Sequence, residues 1–325
     1  METIVQMLAR ELDQSAQHVQ NVVDLLDEGN TIPFIARYRK ELHGSMDDTV
    51  LRTLEERLQY LRSLEKRREE VRSAIEAQGK LTEALSAAIA SAVTLAEVED
   101  LYRPYKPKRR TRATVARERG LEPLAELLFA QGPDCPDPLA AAAAYVDPEK
   151  GVETLADALQ GASDIIAETI SDDAAIRKSL RELVLKRGQL VSKAATEEDT
   201  VYRLYYDFAQ SIPRLQGHQI LAINRGEREG ALKAVVVTDR DQALPLLRRA
   251  VVRPGTRAME FMKAVAEDAY DRLLYPSLER EVRNTLTDQA SEGAIHNFAL
   301  NLRPLLMQPP VKGRVTMGLD PGYRM

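Results

Sequence analysis

The chain predicts a mainly α-helical fold: an elongated multi-helix assembly with long antiparallel helices, a helix-turn-helix-like N-terminal region and one β-hairpin. Three observations carry this expectation. Apolar residues recur at three- and four-residue spacing through most of the 325 residues. Hydrophobic residues make up 44 % but aromatics only 5 %, and tryptophan is absent, so the core must be built from Leu, Ala, Val and Ile; with abundant Glu, Arg and Lys, that favours helices. Only one segment, 218–238, sets two β-prone runs around a polar, glycine-bearing turn.

Taken in order, Ile4, Leu8 and Leu12, then Val19, Val22, Val23 and Leu26, mark two short helices with a break at 15–17. Gly29 reads as a helix C-cap, where glycine adopts the left-handed conformation cheaply. Asn30 and Thr31 offer an N-cap and Pro33 suits the first turn of the next helix. On that helix Phe34 and Tyr38 share one face, and Arg37, Lys40 and Glu41 another. From 50 to 78, Leu51, Leu54, Leu58, Leu61, Leu64, Val71 and Ile75 describe one long helix, roughly 40 Å at the usual rise. Asp47 and Asp48 suit its start, and Gly79 ends it. Further helices are expected over 82–93 and 121–129, with Pro104 and Pro107 keeping 102–117 an extended loop between them. Short helices follow over 139–146, 152–160, 163–170, 172–188 and 196–209, then the hairpin over 218–238, then helices over 241–250, 255–274 and 277–303.

The expected domains are a helical region 1–79 that packs with 255–308, and a central helical region 80–254 that carries the hairpin. Packing of the first with the last rests on the leucine stripes of 50–78 and 277–303, which antiparallel neighbours would cover. Residues 313–325 differ in kind: VTMGL is a buried-strand pattern and DPG a tight turn, so this segment reads as the first strand of a further domain.

Composition excludes several classes. Cys135 stands alone, so no internal disulfide forms. No apolar run approaches the ~20 residues of a membrane span, and the N-terminus lacks the layout of a signal peptide; a cytoplasmic location is expected. A net charge of −5 argues against a whole-surface nucleic-acid binder. Charge is unevenly spread, however. Residues 101–120 hold eight basic side chains and one acidic, whereas 134–175 hold ten acidic and one basic. Such asymmetry means either a local anion site or two segments that attract each other.

Arg103, Lys106, Lys108, Arg109, Arg110 and Arg112, interleaved with Tyr102 and Tyr105, are the foremost candidate site. Arg and Lys neutralise phosphates and tyrosines stack on unpaired bases; equally, the segment serves as an interdomain clasp onto the acidic block. Arg37, Arg39 and Lys40 form a second candidate, either a helix-turn-helix face on a nucleic-acid backbone or the solvated face of a core helix. No Asn or Gln stands among them to read base edges, which favours the solvated face. Asp320 is the third: a first-strand carboxylate holds metal in RNase H-like nucleases. A lone Asp in a DPG turn is ordinary turn chemistry, and hard cations need several oxygens, so no metal site is expected. The four histidines and one cysteine match no zinc spacing, and neither a Walker A run nor GxGxxG occurs, so no cofactor and no enzymatic activity are expected. Gly226 and Gly230 read as hairpin-turn glycines.

Four segments, LDEGNTIPFIARYRKE (26–41), YRPYKPKRRTRATVARERGLEPLA (102–125), ILAINRGEREGALK (220–233) and GRVTMGLDPGY (313–323), resemble the bacterial Tex family of transcription accessory proteins, distant relatives of a eukaryotic transcription elongation factor. The resemblance implies a helix-rich N-terminal half that continues into an RNase H-like YqgF-type domain, helix-hairpin-helix motifs and an OB-fold RNA-binding domain. It makes 313–325 the opening strand of the YqgF-type domain. The implied function is a helical scaffold that orients RNA- or DNA-binding modules and adds weak, sequence-independent contacts of its own. The rivals are a protein-interaction scaffold without nucleic-acid contact, and part of an RNase H-like nuclease with Asp320 as first metal ligand.

Overall fold

The structure, a computed structural model, describes residues 3–309, 312–315 and 317–319. It divides into two compact units, Met1–Glu126 with Leu139–Lys178, and Leu127–Pro138 with Ser179–Met325. Both are mainly helical, as the periodicity predicts.

In the first unit, α1 (Ile4–Glu11), α2 (Ala16–Asp27) and α3 (Ile32–Tyr38) lie over the N-terminal part of α4 (Asp48–Glu76). Each start is set by a short polar residue. Thr3 forms a capping box with Gln6, Ser15 accepts from the His18 amide, and Asp47 accepts from the Val50 amide at 2.8 Å. Gly29 caps α2 as expected: at φ +84° its amide reaches the Leu26 carbonyl. Leu51, Leu54, Leu58 and Leu61 of α4 pack with Leu8, Val19, Val22, Ile32 and Ile35 into one core. Further along, Leu64, Val71 and Ile75 pack with Ile89 of α5 (Glu83–Ser91) and Val98 of α6 (Leu95–Tyr102). The stripe on α4 is thus covered by elements of its own unit, so its burial does not require the long C-terminal helix.

The segment expected to be an extended loop is so only in part. Arg103–Tyr105 make a 3₁₀ turn, and α7 (Arg112–Glu118) starts well before the helix anticipated at 121–129, which is α8 (Glu122–Ala130). After α9 (Pro138–Ala142), α10 (Leu155–Asp172) runs unbroken through Gly161, where punctuation between two helices was expected. A Cβ at 161 would lie 2.2 Å from Leu121 Cδ1, so this glycine admits a neighbour rather than ending a helix. Helix α11 (Ala174–Arg187) leads into the second unit.

That unit holds an antiparallel sheet of order β2-β1-β3, with β1 (Gln189–Ala194), β2 (Asp207–Ser211) and β3 (Leu232–Val237). Two expectations are corrected. The short helix expected over 196–209 does not form: between β1 and β2, which begins at Asp207, only the 3₁₀ turn Arg203–Tyr205 is helical. The hairpin over 218–238 is not formed: its first arm is α12 (Gly217–Arg228), and only the second arm is a strand. Ile220, Ile223 and Gly226, buried at three-residue spacing, gave the helical period that the β-branched content masked. Gly226 sits inside the helix against Leu232 and Tyr202, while Gly230, at φ +76°, terminates it.

Downstream, α13 (Arg240–Val251) and α14 (Met259–Asp268) pack together, and a π-helical stretch, Ala269–Leu274, joins α14 to α15 (Tyr275–Leu306). Leu190, Ile220, Ile223, Leu232, Val236, Val282 and Leu286 form the core between sheet, α12 and α15. The outer edge of β3 is closed by side chains: the Ala234 and Val236 amides donate to Glu227 and Glu279, and the Tyr275 hydroxyl donates to the Val236 carbonyl. Of the expected strand near the C-terminus, Val315, Met317 and Leu319 are exposed and in no strand. A strand needs a hydrogen-bonded neighbour, and none lies beside them among the described residues. Asp320 falls outside the described residues. No helix among those described is long and apolar enough to cross a membrane.

Candidate nucleic-acid interface

Pro104 and Pro107 prevent α6 from continuing, so the chain turns at Arg103–Tyr105 and runs irregularly to Thr111. There Thr111 and Thr114 form a reciprocal cap, the Thr111 amide donating to Thr114 Oγ1 at 2.7 Å and the Thr114 amide to Thr111 Oγ1 at 3.1 Å. Beside this loop and α7 lies α10, whose Glu168 and Asp172, one turn apart, present two carboxylates on one face.

Much of the basic segment closes on those carboxylates. Arg103 Nε donates to Asp172 at 3.1 Å, and Lys108 Nζ donates to the other oxygen of the same carboxylate while standing 3.5 Å from Glu168. Arg117 donates to Glu168 at 2.8 Å, and the Thr111 hydroxyl donates to its second oxygen at 3.1 Å. Both acidic side chains are nearly buried, at 12 % and 11 % exposure. Lys106 instead pairs with Glu99 at 2.5 Å, which Arg67 of α4 also holds at 2.7 Å, and Lys106 and Arg67 both lie over the Tyr102 ring. The Tyr105 carbonyl accepts from Gln78. Three of the eight cations of 101–120 thus close on two of the ten carboxylates of 134–175, a charge clasp inside one unit.

Of the six candidate cations between 103 and 112, Arg109, Arg110 and Arg112 remain outside the network, all exposed. Arg110 makes an ion pair with Glu118 at 3.1 Å, with side chains 73 % and 61 % exposed, a geometry that contributes little. Arg109 and Arg112 hold no partner among the described residues. Arg37 of α3 and Lys40 in the turn after it are exposed, while Arg39 at the helix end folds back over the Phe34 ring at 5.2 Å and donates to the Tyr38 carbonyl. Ile32 and Ile35 bury the opposite face.

Electrostatics agree with the clasp. Burial pushes the Glu168 carboxyl up, but Arg117, Lys108 and the Thr111 hydroxyl together hold it below the usual carboxylate range. Glu99 is likewise raised by burial and lowered on balance by Arg67 and Lys106. A depressed folded-state pKa stabilises above the unfolded value, ~4.3 for Glu, and that contribution is lost as pH falls through the folded value. Thermal unfolding of the chain should therefore be flat near neutrality and drop steeply below about pH 5. A Glu168→Gln variant, which has no carboxyl to protonate, should show a shallower drop; an identical pH profile would mean the clasp carries no stability.

The most buried ion pair among the described residues was not anticipated. Arg177 of α11 and Asp100 of α6 meet at 2.6 Å with side chains 3 % and 5 % exposed. Beside them Lys178 pairs with Glu97 at 2.6 Å. In the second unit the NRGEREG stretch is a corner lock rather than an anion loop. Asn224 donates to Thr287 at 2.8 Å and accepts from Arg283, which also holds Glu227. Glu229 accepts from the Tyr202 hydroxyl at 2.7 Å.

Comparison with known proteins assigns the chain to a family. The Tex-like protein N-terminal domain matches residues 2–76 and the Tex central region-like model matches 134–298, the second alone covering half of the chain. The chain belongs to the Tex family. It is 46 % identical to the uncharacterized protein YdcI of Bacillus subtilis over 325 residues, 98 % of this chain and 45 % of that protein. It is 37 % identical to the transcriptional accessory protein Tex of Neisseria gonorrhoeae over 333 residues, 99 % of this chain and 43 % of the relative. The S1 RNA-binding domain-containing protein 1 of Homo sapiens is 35 % identical over 339 residues, 99 % of this chain and 34 % of that protein. The chain thus spans less than half the length of these relatives. Within the Tex frame, α3 lies in the first matched stretch and the corner lock in the second, whereas the basic segment 103–112 lies between the two.

Proposed function

We propose that this chain is the helical scaffold portion of a cytoplasmic, nucleic-acid-binding transcription accessory protein. It orients RNA- or DNA-binding modules and adds a small basic contact surface, and it carries no catalysis itself. The observation that supports the scaffold role is the charge network of the first unit. Arg103, Lys106, Lys108 and Arg117 hold Glu99, Glu168 and Asp172, and Arg177 holds Asp100, so that α4, α6, α7, α10 and α11 are cross-braced by ion pairs. Residues spent on bracing are withdrawn from phosphate contact. The contact surface therefore narrows to Arg109, Arg110 and Arg112, with Arg37 of α3 and Lys40 just after it as further cations, while Arg39 serves mainly the end of α3. The human relative named for an S1 RNA-binding domain supports RNA as the nucleic acid to test first.

Binding through so few free arginines is expected to be weak, at the ~10⁻⁴–10⁻⁶ M of ordinary non-specific association, insensitive to base sequence, and steeply salt-dependent. Titration of labelled single-stranded RNA at low and moderate salt checks this. Replacing Arg109, Arg110 and Arg112 with alanine should weaken binding and flatten the salt dependence without changing thermal stability, because none of the three braces a buried carboxylate. A chain that binds no RNA at low salt would leave a protein-interaction scaffold as the better reading.

A further inference from the structure

A second cationic surface lies in the other unit, in a stretch that the sequence reading passed over. Between Gln242 and Met259 the chain holds four arginines and no carboxylate. Two arginines of α13, Arg240 and Arg248, close on Asp271 and Glu267. Arg249, at the end of the same helix, and Arg253 and Arg257, in the connection to α14, are exposed, and their guanidinium groups hold no partner among the described residues. In the first unit half of the basic island is held by internal carboxylates; here three arginines spaced four residues apart keep their guanidinium groups free of any ion pair among the described residues.

The connection that carries them is held in place. Gln131, 3 % exposed, donates from its side-chain amide to the Val251 carbonyl at 2.8 Å and accepts from the Arg253 amide at 2.8 Å. The Thr256 hydroxyl donates to the Arg253 carbonyl at 3.0 Å, closing a turn in which Pro254 fixes one φ and Gly255 takes φ +80°. A buried amide thus pins the backbone on both sides of Val252, and a second hydrogen bond folds Arg253 towards Thr256. Ordering this loop costs nothing further when a ligand arrives, so guanidinium contacts made from it are not offset by backbone entropy.

We propose that Arg249, Arg253 and Arg257 form a contact surface for the phosphodiester backbone of single-stranded nucleic acid. The arginine fork suits phosphate oxygens. The lack of any carboxylate from 242 to 259 leaves no internal competitor along the segment. No aromatic side chain and no free Asn or Gln stands among the three, so the surface reads charge and not sequence. This inference rests on the nucleic-acid reading above and assigns it a site in the second unit.

The test is titration of labelled single-stranded RNA with the full chain at several salt concentrations. It compares wild type, Arg249→Ala/Arg253→Ala/Arg257→Ala, the corresponding triple lysine variant, and the Arg109/Arg110/Arg112 alanine variant. Each phosphate contact contributes a slope of ~0.7 in log affinity against log salt for single strands. The alanine variant at 249, 253 and 257 should lose about 2 in that slope and at least tenfold in low-salt affinity. The lysine variant should keep most of the slope, and circular dichroism should show all variants folded. Wild-type binding with an unchanged slope in the 249/253/257 variant overturns this surface while the nucleic-acid reading stands. Absence of binding by wild type at low salt overturns both. Loss of salt slope that lysine does not restore also overturns it, since charge would then not be the determinant.

Discussion

Replacing Asp100 with alanine is expected to destabilise the first unit by about 3–5 kcal/mol, because it takes from the buried Arg177 the carboxylate that it meets at 2.6 Å. The carboxylate and guanidinium meet at 2.6 Å, and Asp100 and Arg177 are 4 % and 2 % exposed. Removing one partner leaves the full desolvation penalty of the other, which the lost pairing no longer offsets. With roughly 2–4 °C per kcal/mol for a unit of this size, the melting temperature should fall on the order of 10 °C. The double variant Asp100→Leu/Arg177→Met removes both charges, and should recover much of the loss, since well-packed apolar replacements of buried pairs are often neutral or better. Calorimetry of the two variants decides the matter. A drop below about 1 kcal/mol in Asp100→Ala would show that the Arg177 charge stays compensated without Asp100.

Neither member of that pair announces itself in the sequence. Asp100 and Arg177 lie 77 positions apart, in segments where every third residue is charged, and nothing local distinguishes a buried carboxylate from a solvated one. The helices were legible for the opposite reason. Their signals are local: leucine spacing in 50–78, the cap at Asp47, the left-handed glycines at 29 and 79. Where a local signal had two meanings, it misled. Gly161 reads as punctuation unless one knows that Leu121 packs against it. The run 218–224 looks β-prone by composition, yet its buried residues keep helical spacing. Strands β1 and β2 were hidden because alternation over five or six residues competes with a polar, helix-compatible stretch between them.

The candidate site was half legible. A basic block and an acidic block in one chain imply mutual attraction, but not which cations are taken. The pairing depends on Glu168 and Asp172 sharing one face of α10, one turn apart, and on the loop after Pro107 bringing Lys108 to that face. Arg109, one residue on, escapes. The arginines at 249, 253 and 257 were overlooked because spacing of four residues dilutes a charge run; only their lack of partners in the folded chain distinguishes them.

Leu58→Asp should have a still larger effect and should unfold the N-terminal part of the first unit. Leu58 is 3 % exposed, in the middle of the core that α1, α2 and α3 make with α4. Deleting a buried leucine side chain alone costs about 2–5 kcal/mol through lost transfer energy and the cavity left behind. A carboxyl placed there adds several kcal/mol more, since no cation lies in this all-apolar cluster to pair with it. The sum approaches the ~5–15 kcal/mol that holds a whole domain together. Short helices such as α1, with 8 residues, and α3, with 7, do not persist once their apolar faces lose that cover. Far-UV circular dichroism should lose helical signal, and limited proteolysis should open sites between 3 and 47. The C-terminal part of α4 packs on α5 and α6 through a separate cluster of Leu64, Val71 and Ile75, so it should remain protected. Leu58→Met, of similar volume, should cost less than about 1.5 kcal/mol and serve as the control. Should the aspartate variant retain wild-type helicity and protease resistance, the N-terminal helices would have to be held by something other than this leucine stripe.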